Sequence, residues 1–239
     1  MTGLVSHFIL LASHSSGQHQ TDSCSLQLRH RLFLTKKLFF VSDRSLTMDI
    51  LQQKTNTKRP TIVQVATSLF AARGIDGVSM RDIAHAAGVR EAAIYRHFTN
   101  KDELARAIFL SWYGWYCTEL QRIVNGSTST MDQLREIVRH EFAAVTDHSH
   151  AFVYFCENEA RFIHDLPAGV ISARRIFTAF IKAGQARGEV RMASPELLAD
   201  MLSGALCAVA LTWLRTGQRK KLETQLAEVV EGCWRLIAA

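Results

Sequence analysis

From Thr57 to the C-terminus, apolar residues recur at the three-and-four spacing of an amphipathic helix, and no stretch alternates as a strand would. A chain built this way can bury its apolar stripes only by packing helix on helix. Only three prolines stand in 239 residues, and two of them, Pro60 and Pro195, sit where a helix begins. The pattern predicts an all-α fold.

Within "RPTIVQVATSLFAARG", Ile62, Val65, Ala66, Leu69 and Phe70 share one face, and Gly74 is placed to end the helix. "SMRDIAHAAG" opens with Ser79 as N-cap and Asp82 three residues on, a capping box, with Ile83, Ala84 and Ala87 facing inward and Gly88 supplying a turn. In "VREAAIYRHF", Val89, Ile94 and Phe98 point to the core, which leaves Ala92, Tyr95 and Arg96 on the opposite face. Asn100 then caps a long helix that starts at Lys101 and runs to about Val124, with Glu103 completing a second capping box. Further helices are expected over 130–147, 151–164, 168–187, from Pro195 to about Leu214, and over 219–238. Residues 1–47 lack a periodic pattern and are expected to be weakly ordered. Translation is expected to start at Met48, and an arm that touches DNA or a partner is the alternative.

Charge is distributed unevenly. Residues 48–101 hold eight Lys/Arg against four Asp/Glu, whereas residues 102–239 hold fifteen against sixteen. A basic module on a near-neutral body suits a polyanionic partner at one end. Five cysteines, Cys24, Cys117, Cys156, Cys207 and Cys233, show no metal-ligand spacing, and their odd number precludes complete intrachain pairing. They read as thiols in a reducing cytoplasm. No uninterrupted apolar run reaches the roughly 18 residues of a membrane span, so no membrane association is expected.

Three helices in so short a segment, the second and third joined by a glycine turn, make a helix-turn-helix, whose last helix enters the major groove. The exposed residue types fit that task. Arg90 and Arg96 can donate to guanine or phosphate, Tyr95 and His97 to phosphate, and Lys101 stands at a helix N-terminus. Ser79 and its neighbouring amides offer a second phosphate cradle. The segment 60–109, with "VSMRDIAHAAGV" and "IYRHF.NKDEL", closely resembles the DNA-binding domain of the tetracycline-repressor (TetR) family. That resemblance implies a dimeric transcription factor, usually a repressor released from double-stranded operator DNA by a small ligand. Position by position, it implies backbone contacts from Ser79 and Arg81, and phosphate contacts from Tyr95, His97 and Lys101. Arg90, Glu91, Ala92, Ala93 and Arg96 would meet bases. Arg90 departs from the family's common Ser or Thr and cannot cap the recognition helix, so Glu91, water or fraying must deal with the first amides.

These readings divide the chain into an extension (1–47), a helix-turn-helix domain (48–103) and a helical ligand-binding and dimerisation domain (104–239). In the last, aromatic residues concentrate, and Trp112, Tyr116, Phe142, Phe155, Phe177 and Trp213 are the candidates to line a hydrophobic effector pocket, against core packing as the plainer role. The only covalent link expected to carry an effector's influence to the motif is the helix starting at Lys101. His140, His148, His150 and His164 lack metal-ligand spacing, and Glu157, Glu159 and Asp165 lack a nucleophile–base companion, so neither metal, cofactor nor catalysis is expected. A helical-bundle carrier or enzyme, and a regulator that senses nothing, are the competing classes. The last two helices carry broad apolar faces (Leu197, Leu198, Met201, Leu202, Ala205, Val209 and Trp213; then Leu222, Leu226, Val229, Val230, Cys233, Trp234 and Ile237) suited to pairing with a second copy, against burial within one chain as the plainer role.

Overall fold

The computed structural model describes residues 58–126, 129–217 and 221–239. Among them are nine α-helices: α1 (Arg59–Arg73), α2 (Met80–Ala86), α3 (Glu91–Tyr95), α4 (Lys101–Val124), α5 (Thr130–Asp147), α6 (Ser149–Phe162), α7 (Ala173–Ala186), α8 (Pro195–Arg215) and α9 (Leu226–Ile237). The one strand-like pairing among the described residues is an isolated antiparallel bridge between Val190 and Ala238. The fold is all-α. The expectations for residues 1–47, Met48 and Cys24 lie outside the described residues.

Local chemistry accounts for most helix ends. Pro60 occupies the first turn of α1, and Gly74, at φ 71°, ends it with its N–H on the Phe70 carbonyl. Ser129 caps α5 by accepting from the Asp132 N–H at 3.2 Å, and Ser194 caps α8 through the Leu197 N–H, also at 3.2 Å. Two helices begin later than the periodicity suggests. α7 starts at Ala173 because Pro167 opens a turn closed by the Val170 N–H, with Gly169 at φ 91°. α9 starts at Leu226, after a 3-10 turn over Leu222–Gln225.

The described chain divides into two compact units. The first holds the residues up to Phe109 together with Val153–Phe162; the second holds Leu110–Phe152 and Ile163–Ala239. The division does not coincide with a boundary at 103/104. Helices α4 and α6 each contribute residues to both units, which corrects the expectation that α4 alone links them.

In the first unit α2 packs against α1 and α3, and Ile62, Phe70, Ile83, Ile94, Phe98 and Leu104 are fully or almost fully buried. The inward face of α1 is rotated from the expected one. Val63 and Thr67 are buried, whereas Val65 and Leu69 are half-buried. Burial of Thr67 is tolerated because its hydroxyl donates to the Val63 carbonyl at 2.8 Å. In the second unit α8 packs against α5, α7 and α9, and α5 against α7 and α9. Gly184 on α7 is a point of close approach: a Cβ there would lie 2.4 Å from Val190 Cγ2 and 3.1 Å from Thr130. Beside it, Glu189 accepts the Thr130 N–H at 2.8 Å, so the first amide of α5 is satisfied by a residue 59 positions away.

By length and composition alone helix α8 could cross a bilayer, with 21 residues and a mean hydropathy of 1.8 over an 18-residue window, a test that the core helix of a soluble protein also passes. Glu196 and Asp200 near its start interrupt any continuous apolar run, which is why no such run is visible. Both carboxylates pair with α7, Glu196 with Lys182 at 3.1 Å and Asp200 with Arg174 at 2.7 Å.

Candidate functional site

The helix-turn-helix is held by bonds that leave its outer face open. Asp82 accepts the Ser79 N–H at 2.9 Å and returns its own N–H to Ser79 Oγ at 3.1 Å, the reciprocal capping box read from the sequence. The Ser79 hydroxyl also donates to Asp82 at 2.9 Å, and Arg73 lies 3.3 Å from the same carboxylate. These bonds hold the Asp82 carboxyl below its ordinary value, the Ser79 backbone bond contributing most. Ser79 is therefore engaged within its own motif.

Between α2 and α3 the chain reverses at Gly88, whose φ of 63° is in the left-handed region open to glycine, and the Val89 N–H closes on the Ala84 carbonyl at 3.0 Å. Helix α3 is a single short element of five residues. Arg90 provides no side-chain cap, and its carbonyl instead accepts the Ala93 N–H at 2.8 Å. Ile94 is fully buried and Phe98 nearly so, while Arg90, Glu91, Ala92, Tyr95 and Arg96 are exposed and Ala93 and His97 half-buried. Tyr95, at 49% exposure, is a large aromatic left in solvent next to Arg96 in the chain. Arg81 is exposed on α2.

Lys101 is more constrained than its sequence context suggests. Its Nζ donates to the Val78 carbonyl at 3.0 Å, tying the start of α4 to the residue before the capping box. Asn100 caps α4 through the Glu103 N–H at 2.8 Å, but Glu103 does not reciprocate to Asn100. Its carboxylate accepts from the N–H and hydroxyl of Thr99, which hold its pKa below the ordinary value. Arg59 places its guanidinium 5.2 Å from the Phe98 ring centroid, bracing the end of the recognition segment from α1.

A second support comes from α6, and nothing local in the sequence announces it. Tyr154, fully buried, donates to the Ala105 carbonyl at 2.8 Å and stacks on Phe70 at 5.9 Å. Phe155 and Phe162 pack on Phe109 at 5.5 and 5.4 Å, and Arg161 pairs with Asp102 at 2.8 Å. Phe155 thus belongs to the first unit. The other five effector candidates, Trp112, Tyr116, Phe142, Phe177 and Trp213, lie in the second.

Of those five, Trp112 and Tyr116 stack on each other, 5.3 Å apart and 10° from parallel. His140 stacks on the Tyr116 ring at 5.0 Å, and its Nε2 lies 3.2 Å from the Tyr116 carbonyl. Trp115 stands 5.5 Å from His140 and 5.1 Å from His148. Against this aromatic cluster lies Glu141, 5% exposed, whose Oε1 accepts a short hydrogen bond from the Tyr116 hydroxyl. Burial pushes the Glu141 carboxyl up to about 7, opposed only by that bond. Burial, and then Glu141, raise the Tyr116 phenol well above its ordinary value, and burial lowers that of His140. Glu141 falls on the inward face of an amphipathic helix, the one signal by which its pattern could have singled it out.

Residues 62–108 match the model of bacterial regulatory proteins of the tetR family. The chain is 28% identical over 152 residues to the HTH-type transcriptional repressor KstR2 of Mycolicibacterium smegmatis, covering 61% of this chain and 72% of that one. Its fold resembles that of the fatty acid degradation regulator FadR from Bacillus halodurans, with a TM-score of 0.65 and 20% identity over 76% of this chain and 97% of the other. It also resembles the transcriptional regulator FadR from Bacillus subtilis in complex with stearoyl-CoA, with a TM-score of 0.62 and 17% identity over 72% and 96%. At such identities the two structures speak for the fold alone.

Proposed function

This chain belongs to the tetR family of bacterial regulatory proteins, a DNA-binding transcriptional regulator, and from that premise we propose that it is a dimeric, cytoplasmic repressor released from a pseudo-palindromic operator by a small, largely hydrophobic ligand. The observation that carries the reading is the exposed face of α3, with Arg90, Glu91, Tyr95 and Arg96 presented on a helix anchored by Ile94 and Phe98. Arg90, Glu91, Ala92, Ala93 and Arg96 would meet base edges in the major groove. Arg81, Tyr95, His97 and Lys101 would hold phosphates. Ser79 would serve this interface by setting α2, since its hydroxyl is already bonded to Asp82.

The dimer is assigned to α8 and α9. On α8, Leu197 (57%) and Met201 (40%) are exposed, and Gly204, Ala205 and Ala208 continue the open side. An apolar helix with so much of its surface open is suited to a second copy. Two recognition helices would then stand about 34–36 Å apart, one turn of B-DNA, or somewhat more. The hydrophobic effector is suggested by the aromatic cluster of the second unit and by the stearoyl-CoA bound to the Bacillus subtilis regulator.

Footprinting of the purified protein on DNA flanking its own gene, titrated with salt, tests the reading. A protected pseudo-palindrome and a steep loss of affinity with salt are expected. Absence of a protected site, or binding indifferent to salt, would overturn it. Sedimentation of a Met201→Glu variant tests the dimer, which should dissociate.

A further inference from the structure

We propose that Glu141 and Tyr116 form the polar end of the effector site, where Glu141 Oε2 carries a proton and donates it in a hydrogen bond to the carbonyl oxygen of a neutral, largely apolar ligand. This rests on the reading of the second unit as an effector domain, and it specifies the chemistry that domain selects.

The geometry divides the two carboxyl oxygens. Oε1 accepts from the Tyr116 hydroxyl, and Oε2 makes no hydrogen bond among the described residues. The residue is 95% buried yet not sealed, keeping 5% of its surface accessible. The direction of the Tyr116 hydroxyl is set by its ring, which is stacked between Trp112 and His140. A carboxyl whose first oxygen is the acceptor leaves its second as the natural donor once it is protonated.

The surroundings favour the protonated form. No lysine or arginine contributes to the ionisation of Glu141, and burial raises its pKa into the neutral range. Glu119 and Arg122 act on His140 in opposite directions and do not contribute to Glu141, while the other titratable groups of this cluster are pushed towards their neutral forms. On α4, Tyr116 is raised by burial, with Tyr113 and Cys117 acting on it in the same direction. His140, next in the chain, is pushed towards its neutral form. On α9, which packs against α5, Cys233 is pushed up to about 11. A buried neutral acid among aromatic rings offers one hydrogen-bond donor in an apolar setting. That suits a ketone, ester or thioester oxygen on a hydrophobic body.

Calorimetry on the full chain with 2-decanone and with 2-aminodecane, at pH 6 and pH 8, tests the assignment. The ketone should bind, with affinity falling roughly tenfold from pH 6 to pH 8 as Glu141 ionises. Glu141→Gln keeps a donor at this position, so ketone binding should persist and lose its pH dependence. Glu141→Leu should weaken it roughly tenfold. Tighter binding of the amine, strengthening with pH, would overturn the proposal in favour of a cation site. Ketone binding that ignores both pH and Glu141 would overturn it while leaving the effector domain standing. If neither probe binds protein that still binds its operator, the effector reading falls and this assignment with it.

Discussion

The hydroxyl of Tyr154 on α6 donates to the carbonyl of Ala105 on α4 at 2.8 Å, deep inside the unit that carries the helix-turn-helix. The two residues are 49 positions apart, and their bond makes the second half of α6 part of the DNA-binding unit. Burial raises the Tyr154 phenol, so the group is neutral and a donor at any pH the fold tolerates. Removing only the hydroxyl, in Tyr154→Phe, should cost about 1 kcal/mol, and Tyr154→Ala about 3–5 kcal/mol as the stack on Phe70 is lost too. Urea unfolding measures both. Equal losses would mean that the hydroxyl, and not the ring, carries the contact.

Arg96 and Lys101 should behave differently when replaced. Arg96 is exposed on the outer side of the recognition segment, so Arg96→Ala should weaken binding unequally across operator variants, by about 1–3 kcal/mol at the base it reads. Lys101 is tied to the Val78 carbonyl, so Lys101→Met should weaken binding to all sequences alike and also lower the melting temperature. Binding to a panel of single-base operator variants separates the two. A uniform loss for Arg96→Ala would make it a phosphate clamp.

Stability should depend on Glu141 with a definite sign. Its folded pKa is about 7 against an ordinary 4.5, so the folded state holds the proton more tightly than the unfolded chain. The contribution is fully present below about pH 4.5 and is lost as pH rises through 7, by roughly 3 kcal/mol in all. Glu141→Gln, which cannot ionise, should flatten this part of the pH–stability curve. A wild-type curve already flat between these limits would contradict the buried carboxyl.

Two glycines should part company. Gly184→Ala places a methyl against Val190 and Thr130, and should destabilise by about 1–3 kcal/mol through overpacking. Gly204→Ala meets nothing within 4 Å in the single chain and should leave its folding intact. Its effect should fall on dimerisation instead, read from the concentration dependence of sedimentation. A dimer unaffected by Gly204→Ala together with Met201→Glu would move the interface away from α8.

What the sequence determined by itself was most of what acts within a few residues. The capping box of Ser79 and Asp82, the turn at Gly88, the stop at Gly74 and the start at Pro195 are bonds or dihedral requirements spanning at most four positions. The helix-turn-helix is made of such local rules, and so its outward residues Arg90, Glu91, Ala92, Tyr95 and Arg96 could be read off directly. Only the tertiary structure decided which helix meets which. An apolar stripe states that a face must be buried but not against what, because burial of apolar surface is non-directional. The joining of Tyr154 to Ala105, the assignment of Phe155 to the DNA-binding unit, and the meeting of Glu141 with Tyr116 across 25 positions follow from packing. Glu141 shows the difference most sharply. Its sequence neighbours are those of an ordinary helical carboxylate, and only the rings brought around it by folding make it a buried acid.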